Sequence, residues 1–141
     1  MKAFVCLAVL LVSCWAEEAC KHSNIAQKTE EQVIAEVVRD ADHDRDGSIT
    51  DLDVVQFFVF NFDHNKNGEV DRTEFANQWH ATYKDEKAFA EHVFDHIDMK
   101  TDGVLNIDDI PLLENRADTD GSGVISVSEF QTYLEAIYAA C

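Results

Sequence analysis

A twelve-residue acidic pattern occurs four times in 141 residues, and its spacing restricts what the chain can fold into. Residues 63–74 read DHNKNGEVDRTE. Counted from Asp63, oxygen-bearing side chains stand at the first, third, fifth, ninth and twelfth positions: Asp63, Asn65, Asn67, Asp71 and Glu74. Gly68 is sixth and Val70 eighth. A hard cation takes about six to eight oxygens at roughly 2.3 to 2.6 Å, and a short loop supplies them from alternate positions only where a glycine permits the sharp turn midway. The pattern recurs at 42–53, DHDRDGSITDLD, with Asp42, Asp44, Asp46, Gly47 and Ile49 in place and Asp53 closing it. At 118–129, DTDGSGVISVSE offers Asp118, Asp120, Ser122, Gly123, Ile125 and Glu129. At 98–109, DMKTDGVLNIDD keeps Asp98, Asp102, Gly103, Leu105 and Asp109 but places Lys100 third, where an ammonium has donors and no acceptor for a cation.

Four such segments in register resemble the loops of the EF-hand superfamily, and the resemblance covers nearly all of the chain beyond residue 16. It implies an all-α fold that binds Ca²⁺ at the matching positions. Those are Asp42, Asp44, Asp46, Ser48 and Asp53 in loop 1; Asp63, Asn65, Asn67, Glu69 and Glu74 in loop 2; and Asp118, Asp120, Ser122, Val124 and Glu129 in loop 4. Loop 3 keeps a degenerate, weak set of Asp98, Asp102 and Asp109. Loops 2 and 4, closed by glutamates able to chelate with both oxygens, are expected to be the strongest sites. Loop 1 closes on the shorter Asp53, which shifts its selectivity toward the smaller, six-coordinate Mg²⁺.

Loops 1 and 2 start 21 residues apart and loops 3 and 4 start 20 apart, whereas loops 2 and 3 start 35 apart. About 12 residues between neighbouring loops make one helix of roughly 18 Å with no turn. Each close pair of loops therefore sits at the two ends of one shared helix. A repeat of about 55 residues relates the halves, so the expectation is a compact six-helix body in which loop 2 pairs with loop 3 and loop 1 with loop 4.

Apolar spacing marks the helices. Val33, Ile34, Val37, Val38 and Ala41 form one stripe, preceded by Thr29 and Gln32 in capping-box register. Phe75, Trp79 and Tyr83 form a second stripe, Phe89, Val93, Phe94 and Ile97 a third, and Phe130, Tyr133, Leu134, Ile137 and Tyr138 a fourth. The segment 54–62, VVQFFVFNF, is apolar nearly all round and predicts burial on several sides. Pro111 requires the helix after loop 3 to start late. His92 and His96, four apart with His80 upstream, have a spacing that suits zinc, but HVFDH lacks the glutamate base of an HExxH protease, and both are expected on a solvated face.

The first 16 residues, MKAFVCLAVLLVSCWA, read as a secretory signal peptide, leaving 17–141 as a single domain. In an oxidising compartment Cys20 and Cys141 are expected to form a disulfide that closes the chain into a cycle. A net charge of −17 disfavours nucleic acid and anionic membranes as partners. With no phosphate-binding glycine loop and no nucleophile motif, an enzyme is not expected. The leading expectation is a secreted, extracellular calcium-binding protein with a structural or buffering role and an unknown protein partner. The alternatives are a calcium-triggered interaction module and an acidic protein acting on calcium mineral.

Overall fold

The computed structural model describes residues 21–140, so the signal-peptide reading, Cys20 and Cys141 lie outside the described residues. Within them the fold is mostly helical, with six helices and four two-residue strands. Helix α1 is Glu30–Ala41, opened by the Thr29–Gln32 capping box, and its whole predicted stripe is buried. After β1 (Ser48–Ile49), α2 runs over Asp51–Val54 and continues with π-helical winding through Val55–Phe60. Then come β2 (Val70–Asp71), α3 (Arg72–Tyr83) and α4 (Lys87–Ile97). The second half has β3 (Val104–Leu105), a 3-10 turn at Ile107–Asp109, α5 (Ile110–Ala117), β4 (Ile125–Ser126) and α6 (Val127–Ala139). The 3-10 turn puts Pro111 in the first turn of α5, where its missing N–H costs nothing.

The strands form two antiparallel pairs. Ser48 and Ile49 stand opposite Ser126 and Ile125, and Val70 and Asp71 opposite Leu105 and Val104. Ile49, Val70, Leu105 and Ile125 are buried, so each strand pair also inserts apolar side chains into the core. Phe58, Phe62, Phe75 and Trp79 form a run of neighbouring rings, with centroids 5.0 Å apart for Phe62–Phe75 and 5.3 Å for Phe75–Trp79. This run carries the core from α2 into α3.

The segment 54–62, expected to be buried on several sides, is buried on its inner side and leaves one apolar residue outside. Val54, Phe57, Phe58 and Phe62 are buried, but Phe60 is 73% exposed and Asn61 is exposed. Adjacent Phe57 and Phe58 both face inward, their rings 4.7 Å apart and nearly perpendicular, and the widened π turn leaves Phe60 on the outer side. His92 and His96 are also not on a freely solvated face. Both are half-buried, their rings 4.6 Å apart, with His92 Nε2 3.0 Å from the Ile137 carbonyl oxygen across the α4–α6 contact.

Candidate metal centre

Each loop is built from its own side chains onto its own backbone. In loop 2, Asp63 accepts from the N–H groups of Asn67 (3.2 Å) and Gly68 (2.8 Å), Asn65 from that of Asn67 (3.0 Å), and Asn67 from that of Glu69 (2.9 Å). Loop 4 repeats the scheme, Asp118 accepting from Ser122 at 3.1 Å and Gly123 at 2.7 Å. Loop 1 does so with Asp42 accepting from Asp46 at 3.2 Å and Gly47 at 3.1 Å. These bonds turn the first acid inward and fix the sharp bend at Gly47, Gly68 and Gly123, whose φ angles of 87°, 85° and 84° suit glycine.

The twelfth residue joins loop to helix. In all four loops it is the third residue of a capping box whose N-cap is the ninth: Thr50 with Asp53, Asp71 with Glu74, Asn106 with Asp109, and Ser126 with Glu129. Glutamate also reaches back into its loop. Glu74 Oε1 accepts from Asn65 N–H at 3.1 Å, and Glu129 Oε1 from the N–H groups of Thr119 (2.9 Å) and Asp120 (3.0 Å). The Ser126 N–H leads the donors that hold the Glu129 carboxyl down at about 2. Asp118 is lowered too, chiefly by the Gly123 N–H.

Two sets of carboxylates converge with their oxygens within 4.8 Å of one another: Asp42, Asp44 and Asp46, and Asp118, Asp120 and Glu129. Like charges so close repel unless a cation lies among them, and all-oxygen donors suit a hard divalent ion. Residues 115–134 match the EF-hand family model. That match and the carboxylate groups support the EF-hand superfamily and a divalent metal site consistent with Ca²⁺. They point to calcium binding. No curated protein and no solved structure matches the chain.

The other expected ligands are placed less uniformly. Asp53 bonds locally to Thr50, at 2.9 Å to N–H and 2.6 Å to Oγ1, and is not one of the converging set. Loop 2 has the neutral amides of Asn65 and Asn67 at its third and fifth positions, so it concentrates less charge there than loop 1 does with Asp44 and Asp46. Ser48, Glu69 and Val124 occupy the seventh position, from which a backbone carbonyl is the donor to an ion. In loop 3 the Lys100 ammonium lies 3.4 Å from Asp108 and 3.6 Å from Asp102. Asp109 accepts from Lys100 N–H at 3.2 Å, and desolvation raises its carboxyl above the ordinary value, helped by Asp98 and Asp102. Asp98 is 6% exposed, and its Oδ1 is buried with no hydrogen-bond partner among the described residues.

Asp85 carries no signal in the sequence. It lies in the polar connection between α3 and α4, yet it is fully buried. Four side chains reach its carboxylate: His22, Asn24, Trp79 and Tyr138. Nothing in the YKDEK stretch distinguishes it from a solvated linker acid.

Proposed function

We propose that this is a secreted calcium-binding protein holding Ca²⁺ in loops 42–53, 63–74 and 118–129, with 98–109 weak and a structural or buffering role. The observation that carries the reading is the convergence of Asp118, Asp120 and Glu129 within the segment that matches the EF-hand model. Loop 1 takes Mg²⁺ more readily than the others because Asp53 is one methylene shorter than the glutamates that close loops 2 and 4 and reaches the ion less easily. The loops act as two pairs, 1 with 4 and 2 with 3, a reading supported by the antiparallel strand pairs that join them. A calcium titration followed on the fluorescence of Trp79, with a hydrophobic dye in parallel, tests it. Saturable binding without added dye fluorescence supports a structural or buffering role, and no binding at millimolar Ca²⁺ contradicts it.

One observation favours the calcium-triggered interaction module as a second reading: Phe60, Ile107 and Leu52 are 73%, 68% and 63% exposed. A calcium-dependent rise in dye fluorescence would select it. Among the described residues no helix is long and apolar enough to cross a membrane.

A Cys20–Cys141 disulfide belongs to the same proposal. What supports it is that the rings of His22 and Tyr138 lie 5.2 Å apart, with Cys20 two residues before the one and Cys141 three residues after the other. Non-reducing peptide mapping of the secreted protein checks it, and free thiols at both cysteines would defeat it.

A further inference from the structure

A fully buried carboxylate is costly unless its oxygens are hydrogen-bonded. Asp85 meets that condition with donors from distant parts of the chain. His22 Nε2 is 2.7 Å and Asn24 Nδ2 2.8 Å from Oδ1, while Trp79 Nε1 is 3.0 Å and the Tyr138 hydroxyl 2.7 Å from Oδ2. Main-chain bonds reinforce the node, Glu86 N–H donating to Ser23 at 2.7 Å and Ile25 N–H to Lys84 at 2.8 Å. Asn24 Nδ2 also donates to the Tyr83 carbonyl at 2.9 Å. The His22 ring is seated against Phe89, edge to face with centroids 5.1 Å apart, and against Tyr138.

The position of the node gives it a mechanical role. Residues 84–86 connect α3, which leaves loop 2, to α4, which enters loop 3. Tyr138 lies in the last turn of α6, which leaves loop 4, and residues 22–25 lead into α1, which enters loop 1. One carboxylate thus gathers the ends of these helices that lie farthest from the loops. In EF-hand sensors an ion reorients the helices about its loop, separating them to expose apolar surface. Here that separation would have to break charge-assisted bonds in a buried site, which are stronger than neutral ones and leave an uncompensated acid when lost.

We infer that residues 22–25 are a strap, latched on Asp85, that keeps the apolar core covered while the loops take up ions. Releasing the strap frees the helices to separate in response to calcium. The latch itself does not depend on the calcium-binding reading, although its regulatory consequence does.

The test compares the full mature chain with the double substitution His22→Ala, Asn24→Ala and with Tyr138→Phe, which keeps the ring and removes only the hydroxyl. In chelator, the Trp79 indole N–H and the Ile25 and Glu86 amides of the unmodified chain are expected to exchange slowly with solvent. Both variants should exchange at least tenfold faster. With Ca²⁺, the double variant should gain several-fold in hydrophobic-dye fluorescence while the unmodified chain changes little. Fast exchange of the Trp79 indole in the unmodified chain would overturn the latch. So would folded variants, judged by near-ultraviolet circular dichroism, that match it in exchange. Slow exchange in the unmodified chain and faster exchange in the variants, without any dye response to Ca²⁺, would uphold the latch and refute its regulatory role.

Discussion

Glu129 shows how much one residue carries. Its carboxylate caps α6, accepts from the Thr119 and Asp120 amides, and belongs to the converging acidic set. Glu129→Gln keeps the shape and removes the charge, so calorimetry should show loop 4 losing its ion, and Glu74→Gln should do the same for loop 2. Lys100→Asp works in the opposite direction, replacing a donor-only cation by a ligand, and should strengthen loop 3. The pH dependence follows from the Glu129 carboxyl, held at about 2 against its ordinary 4.5. A lowered acid contributes stability in full above the unfolded value, and that contribution is lost as pH falls through the folded one. Loop 4 should therefore loosen between about 4.5 and about 2, visible as shifts of the Thr119 and Ser126 amide resonances during acid titration.

At the scale of elements, the aromatic segment of α2 gives a sharp contrast. Phe58 is buried among Phe57, Phe62 and Phe75, so Phe58→Ala should cost about 3 to 5 kcal/mol in chemical denaturation. Phe60 faces solvent, and Phe60→Ala should stay within about 0.5 kcal/mol. Sequence periodicity could not separate the two, because an all-apolar run has no polar face to define an orientation and the π turn breaks the 3.6-residue register. Elsewhere the pattern was sufficient. The stripes of α1, α3 and α4 are buried as their spacing requires, and Pro111 marks the late start of α5. The loops were legible as well, since every oxygen donor and the turning glycine lie within twelve consecutive residues. Asp53 was less so, because whether a short carboxylate reaches the ion or stays on its N-cap depends on geometry. Asp85 was illegible for a different reason: its partners lie as far away as 63 residues, and one acid in a polar linker carries no periodic signal.

For the whole molecule, a net charge of −17 on 141 residues means that folding concentrates repulsion, most strongly where acids converge. Bound Ca²⁺ relieves it, so chelation should lower Tm. For each occupied site, Ca²⁺ at 100 times its Kd should contribute about 2.7 kcal/mol. Whether calcium is held by these particular loops is decided by calorimetric titration of the protein with Ca²⁺. Saturable binding by loops 42–53, 63–74 and 118–129 is expected, with one ion lost in Glu74→Gln and one in Glu129→Gln. The absence of binding at millimolar Ca²⁺, or a stoichiometry unchanged by both substitutions, would contradict it.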